Sequence, residues 1–175
     1  MALNKAQTER LSTFSKEELL DYIDLVQKNF WNLQNNWMMY MNNEYGQEAA
    51  VKGDSHCFGA NSRVQMYRLR KMFDLKDDIQ ALEDAMILST IWVNCDYDMW
   101  RPAENKLRLK VTNCYQQVRR LRDGVGELAC KQAGIDVCKI ASDVINPQFE
   151  ASCIVCPPDE HPDDVWCEWE WELVE

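Results

Sequence analysis

The chain has 175 residues, of which 46% are hydrophobic and 27% are charged, a balance typical of a globular domain with its own core. Its net charge of −10, from 29 acidic and 19 basic residues, argues against nucleic acid and anionic membrane surfaces as partners. There is no apolar run near the ~20 residues that cross a bilayer and no export signal, so we expect a cytoplasmic protein with reduced cysteines.

The first half of the chain is predicted to be helical. After a loose lead-in over residues 1–14, Ser15 and Glu18 have the spacing of a capping box. The stretch behind them is typical of a long amphipathic helix ending near Gly46, with further helices over about 62–73 and from about 77. Residues 53–59 are rich in turn formers and predict a connection. The apolar stripe of the long helix, spaced by three and four, is Leu19, Ile23, Val26, Phe30, Leu33, Trp37 and Met41.

The second half, residues 91–175, is predicted to hold the sheet. Apolar and polar residues alternate over 91–100 and 107–112 with a turn at 101–105, which indicates a β-hairpin. Helices are predicted over about 114–122 and 126–145, the second with a break at Gly134, before two strands over 148–155 and 165–174. The fold class is therefore α+β in a single domain, residues 1–175. Its helical half is 15–90, and a four-stranded antiparallel sheet from two hairpins is covered by helices on one face.

The last third is rich in cysteine. Cys153 and Cys156 form a C-x-x-C pair, with Cys130 before it and Cys167 after it, and thiolates at such spacing typically bind Zn²⁺ or an iron–sulfur cluster. Strand alternation places Cys153 and Cys167 on inward faces. If the hairpin loop is centred near Glu160, these two lie nearly opposite each other, close enough for one tetrahedral ion to join them. Cys156 would turn back from the loop, and Cys130 would close the site from the preceding helix.

Two other interpretations of these thiols stay open. Free cysteine is among the most buried residue types, so the cluster could be reduced core cysteines in a structural protein. A redox dithiol is disfavoured because the C-x-x-C motif ends a strand instead of beginning a helix. Cys57, Cys95 and Cys114 are interpreted as plain packing residues.

The order Cys130, Glu150-Ala-Ser-Cys153 and Cys167-Glu-Trp169 resembles the metal-binding half of the 4-vinyl-reductase-like domain, a small-molecule-binding module of bacteria and archaea. The resemblance implies that Cys130, Glu150, Cys153 and Cys167 are zinc ligands. Glu150, however, falls on the strand face opposite Cys153, so Cys156 is favoured over it as the fourth ligand. The chain also looks like a group of cytosolic bacterial proteins related to L-2-amino-thiazoline-4-carboxylic acid hydrolases, which share a Trp-rich first helix and a C-x-W-x-W/F strand.

A ligand pocket is predicted in the helical half. Trp31 and Met38 lie off the apolar stripe of the first long helix, and Arg119 could receive a carboxylate. The leading hypothesis is a zinc-site protein that binds a small anionic or aromatic molecule, with an iron–sulfur cluster as the alternative cofactor and a homodimer as a possible assembly. The rival is a metal-dependent hydrolase of a small sulfur- or nitrogen-containing amino acid derivative.

Overall fold

The computed structural model describes residues 3–174, leaving Met1, Ala2 and Glu175 outside the described part. It confirms the predicted α+β class, with six helices and a four-stranded antiparallel sheet among these residues. No helix within residues 3–174 is both long and apolar enough to span a membrane. The elements are α1 (Lys5–Leu11), α2 (Lys16–Tyr45), α3 (Gln47–Phe73), α4 (Ile79–Leu88), β1 (Cys95–Ala103), β2 (Lys106–Cys114), α5 (Tyr115–Arg122), α6 (Lys131–Ile145), β3 (Phe149–Val155) and β4 (Cys167–Leu173).

The chain divides into two compact units, Met1–Asn36 and Trp37–Glu175, with the boundary inside α2. In the first unit, the predicted lead-in contains α1, whose start is fixed by a capping box between Asn4 and Gln7. The capping box predicted at the start of α2 is confirmed, since Glu18 N–H donates to Ser15 Oγ at 3.1 Å and Ser15 N–H donates to the Glu18 carboxylate at 2.7 Å.

Much of the apolar stripe of α2 is exposed. Ile23, for example, is 51% exposed, whereas Trp31 and Met38, which lie off the stripe, are buried. Only at its end does the stripe contact a core, where Trp37 and Met41 pack against a small cluster. The spacing of apolar residues identified the helix but not its buried face, because apolar residues also lie off the stripe.

The predicted turn over residues 53–59 is wrong, because these residues lie inside the continuous helix α3. A Cβ atom on Gly53 would come within 3.0 Å of the Trp37 ring, and one on Gly59 would come within 2.9 Å of Ile140 Cδ1. The two glycines thus allow close packing of helices instead of making a turn. Glycine in a sequence does not distinguish these two uses.

Gly134 is a third glycine of this kind and does not interrupt α6, which begins at Lys131 and runs unbroken to Ile145. A Cβ atom at this position would lie 2.5 Å from two ring atoms of Trp169 on β4. The helix therefore packs directly onto the tryptophan of the sheet. This contact fixes how close the first turn of α6 comes to β4.

The sheet order is β1-β2-β4-β3, so the two predicted hairpins join through the antiparallel pair of β2 and β4. On the inner face, Leu107, Leu109, Trp169 and Trp171 are buried and belong to the main core with residues of α4 and α6. The first hairpin turn is tighter than predicted, because β1 extends to Ala103, which pairs with Lys106.

The outer face of β2 and β4 carries a ladder of opposite charges. Arg108 bonds the Glu170 carboxylate at 2.7 Å and the Glu168 carboxylate at 3.2 Å, and Lys106 lies 2.8 Å from Glu172. The alternation of apolar and polar residues in β2 and β4 predicted a solvent-facing side for both strands. The pairing explains why three successive acids are tolerated there, since each faces a base on the neighbouring strand.

Candidate thiol site

The loop end of β3 and β4 contains a one-residue register shift that places two thiols side by side. Cys153 pairs with Trp169, but Val155 pairs with Glu168, so an extra residue lies on β3 between them. The prediction that Cys153 lies opposite Cys167 is therefore wrong, because that alignment assumed an unbroken ladder. Beyond the shift the strands bring Cys156 alongside Cys167, which is one of the neighbours that raise the pKa of Cys156.

Cys130 completes a group of three thiols, which we call the Cys156 group: Cys130, Cys156 and Cys167. Cys130 is the N-cap residue of α6, and its sulfur lies 3.7 Å from the sulfur of Cys156. The start of the helix is held to the loop after β3, because Lys131 N–H donates to Pro157 O at 3.0 Å and the Lys131 ammonium bonds Asp159 at 2.7 Å. Helix and hairpin thus meet at these sulfurs.

Two buried polar side chains from α5 support Cys130. The Gln117 amide donates to Cys130 Sγ at 3.6 Å and to Leu128 O at 3.0 Å, and it accepts from Leu128 N–H at 2.8 Å. Arg120 donates to the carbonyls of Gly126 and Val125. Sequence analysis missed both residues. A glutamine and an arginine on a short polar helix gave no signal that they would turn inward.

The environments of Cys156 and Cys153 favour the neutral thiol. The pKa of Cys156 is raised by its thiol neighbours Cys130 and Cys167 and further by burial. Burial also raises the pKa of Cys153 to about 11, although nearby Lys131 opposes this rise. A thiol with a raised pKa gives up its proton when a bound cation replaces it.

The spacing of Cys130 and Cys156 fits a pair of ligands on one zinc ion. Two thiolates bound tetrahedrally at about 2.3 Å lie about 3.8 Å apart, and the observed separation of the sulfurs is 3.7 Å. The fit is limited to this pair, since within residues 3–174 no three His, Cys, Asp or Glu side chains are arranged to hold a metal ion. Cys153 is half-buried on β3, and Glu150 is exposed on the opposite face, across from Glu172.

A second pair of thiols, Cys95 and Cys114, lies at the far end of the first hairpin. We call it the Cys114 pair. The two residues lie directly opposite each other on β1 and β2, and the Cys114 thiol is the largest cause of a raised pKa of Cys95. A one-residue shift in β2 between the pair at Asp96 and the pair at Tyr97 makes this possible. Without it, the alternation that buries Val111 would send Cys114 to the solvent face.

Two residues of the predicted pocket, Met38 and Arg119, have local partners in the structure. Met38 packs in a small core cluster with Ala50 and Leu128. Arg119, on α5, lies 3.6 Å from Asp123 in a local ion pair. A groove of about 450 Å³ instead lies beside Cys130, between the first turns of α3 and α6. It is lined by Gln47, Glu48, Val51, Lys52, Ser55, Ala129, Gln132, Ala133 and Asp136.

Comparison with known proteins gives a family. A family profile described as "Family of unknown function (DUF6125)" matches residues 12–173. A search of curated proteins found no match. Among solved structures, the chain is similar to a trafficking protein particle complex subunit 3 from Naegleria fowleri, crystallised covalently bound to palmitic acid. The TM-score is 0.48 at 10% identity, over 87% of this chain and 95% of that one.

Proposed function

We propose that this chain, which belongs to the DUF6125 family of unknown function, is a zinc-site protein that binds a small molecule beside the metal. The observation that carries the proposal is the 3.7 Å separation of the Cys130 and Cys156 sulfurs, which suits two thiolates on one tetrahedral ion. Cys167, adjacent to Cys156, would be the third ligand. Cys153, the half-buried thiol nearest to Lys131, would be the fourth.

The metal would supply a link between the start of α6 and the end of the β3–β4 hairpin. Four thiolates close the coordination shell of zinc, which is the form that structural sites take. Gln117 would remain an outer partner, donating to the Cys130 sulfur and so fixing its orientation. The alternative is an iron–sulfur cluster, which the same four thiols would bind.

The small molecule would occupy the groove between α3 and α6. Its walls combine apolar Val51 and Ala133 with the charged groups of Glu48, Lys52 and Asp136. Both signs of charge in a groove of this size suit a small zwitterion or a polar aromatic compound. The groove adjoins Cys130 directly, because Ala129 and Gln132 flank that cysteine in the chain.

The metal proposal is tested by elemental analysis of protein prepared without added metal, followed by cobalt substitution. We expect about one zinc ion per chain, and thiolate-to-cobalt charge-transfer absorption after exchange. Cys130→Ser should abolish both, whereas Cys57→Ser, a change at an exposed cysteine of α3, should leave both intact. Zinc content that is zero, or equal in both variants, would overturn the proposal. Visible absorption of the purified protein would indicate the iron–sulfur alternative instead.

The second candidate function is a metal-dependent hydrolase, and the position of Cys153 favours it. If this half-exposed thiol, with its raised pKa, stays protonated, three ligands remain and a water molecule can take the fourth place. X-ray absorption at the metal edge counts the sulfur neighbours. Four sulfurs support the binding module, and three sulfurs with one oxygen support the hydrolase.

The groove is tested with Val51→Trp, which would fill it, against Lys139→Ala on the exposed surface of α6 as the control. The probe is a panel of small amino acid derivatives and aromatic carboxylates, read by thermal shift. Stabilisation by a panel member that is lost only in Val51→Trp supports the proposal. Equal stabilisation of both variants places the binding elsewhere.

A further inference from the structure

Cys95 and Cys114 belong neither to the proposed metal site nor to the proposed binding groove, and their positions in the sheet suit a disulfide bond. Residues directly opposite each other in an antiparallel pair have Cα atoms about 4.5–5.5 Å apart. This falls inside the range of about 4.4–6.8 Å that a disulfide bond spans. Cys95 and Cys114 occupy such opposite positions on β1 and β2. The bond from Tyr115 N–H to Asn94 O, at 3.2 Å, lies beside them, as at a non-hydrogen-bonded position where side chains approach most closely.

The surroundings of the pair distinguish its two sulfurs. Cys114 is the N-cap residue of α5, an eight-residue helix, a position where the helix dipole favours a thiolate. The pKa of Cys114 is lowered chiefly by the neighbouring Cys95 thiol and further by the amides of Gln117 and Gln116, while burial opposes this change. The neighbouring Cys114 thiol, together with burial, raises the pKa of Cys95. Cys114 is therefore the more readily ionised sulfur of the pair.

The pair lies at the margin of the main core. Both residues are partly buried and pack against it. The register shift that turns Cys114 toward Cys95 is one of two in the ladder between β1 and β2, and the other lies near the hairpin turn between Trp100 and Ala103. Register shifts of this kind change the direction of side chains and are common beside active sites.

We propose that Cys95 and Cys114 form a dithiol that hydrogen peroxide oxidises to a disulfide, with Cys114 as the attacking thiolate and Cys95 as the resolving thiol. The Cys114 sulfur attacks one peroxide oxygen, the O–O bond breaks, and Cys114 becomes a sulfenic acid. The hydroxide released takes a proton and leaves as water. The Cys95 sulfur then attacks the sulfenic sulfur, forms the S–S bond and releases a second water. Two thiols are oxidised and one peroxide is reduced to two waters.

The test treats the full chain, reduced and kept with a chelator, with stoichiometric peroxide, followed by alkylation and peptide mass mapping. We expect a disulfide between Cys95 and Cys114 as the first product. It should form at least about tenfold faster than oxidation of the exposed Cys57, because thiolate character sets the rate. Oxidation of Cys57 first, or a first disulfide that joins other cysteines, would overturn the proposal.

Two variants make the roles specific. In Cys95→Ser the reaction should stop at a sulfenic acid on Cys114, which dimedone captures, and Cys95→Ala repeats the test if the serine variant folds poorly by circular dichroism. In Cys156→Ser, which removes the proposed metal ligand, the disulfide between Cys95 and Cys114 should form at an unchanged rate. Loss of the disulfide in Cys156→Ser would mean that oxidation passes through the Cys156 group, and the proposal would fail whatever the outcome for zinc.

Discussion

The Cys114 pair and the Cys156 group are built in the same way and have different chemistry. Each lies at a one-residue shift in a strand ladder, and each contains the N-cap cysteine of a helix. In the first, the neighbouring Cys95 thiol lowers the pKa of Cys114. In the second, two thiol neighbours and burial raise the pKa of Cys156. This difference is the basis for proposing a nucleophile in the first group and metal ligands in the second.

The largest expected difference between the Cys114 pair and the Cys156 group is in zinc affinity. Cys156→Ser should weaken zinc binding more than about 100-fold, because even changes in outer partners of a metal cost about 10–100-fold. Cys114→Ser should leave zinc affinity within about threefold of wild type, since Cys114 is not one of the proposed ligands. Competition against a chromogenic chelator measures both. Equal losses in the two variants would show a single continuous thiol site.

A packing change should damage the Cys156 group selectively. In Gly134→Ala the new methyl group would overlap the Trp169 ring, so α6 must move from β4 and carry Cys130 with it. We expect unfolding free energy to fall by about 1–3 kcal/mol, typical of overpacking, despite the better helix propensity of alanine. Urea denaturation measures this. Lys139→Ala on the exposed side of α6 is the matched control and should change stability by less than about 0.5 kcal/mol.

The Gln117 side chain allows a finer comparison, because its helix begins at Cys114 and its amide reaches Cys130. Gln117→Leu should leave Leu128 N–H and C=O unpaired and cost about 1–3 kcal/mol of unfolding free energy. Zinc affinity should fall by about 10-fold through loss of the outer hydrogen bond. Calorimetry gives both values. An unchanged zinc affinity would show that this hydrogen bond does not orient Cys130.

The smallest effect concerns the charged face of the sheet, which holds neither thiol group. Arg108 and Lys106 lower the pKa of Glu170, so its ionised form stabilises the fold at neutral pH. This stability is present above the unfolded pKa, near 4.5, and is lost as pH falls through the lower folded value. Arg108→Gln should reduce the stability measured at pH 7 by under about 1 kcal/mol, as for other exposed pairs. It should also flatten the acid limb of the stability–pH curve, with zinc content unchanged.

The elements that depend on local pattern were predictable from the sequence. The capping box at Ser15, the alternation around Leu109 and the inward side of Trp169 are set by neighbouring residues, and the structure confirms them. The glycines in α3 and α6 were not predictable in this way. Their role depends on a ring or side chain that arrives from elsewhere in the fold.

The two register shifts explain why the candidate site was only partly predicted. Strand alternation placed Cys153 opposite Cys167 and left Cys114 as a packing residue. One additional residue in β3 and another in β2 reverse the side on which later residues lie. No glycine or proline marks the shift near Thr112. It becomes apparent only when two strands are aligned, which requires the fold itself.

The order of the strands has a consequence for how the protein is made. The last of the described strands, β4, lies inside the sheet between β2 and β3. Those two strands are synthesised earlier, and the edges that pair with β4 stay unpaired until residues 167–173 leave the ribosome. The nascent chain can therefore pair wrongly with other chains during this interval. Cys167 arrives with the same segment, so a metal ion bound as proposed would be captured only after β4 has been synthesised.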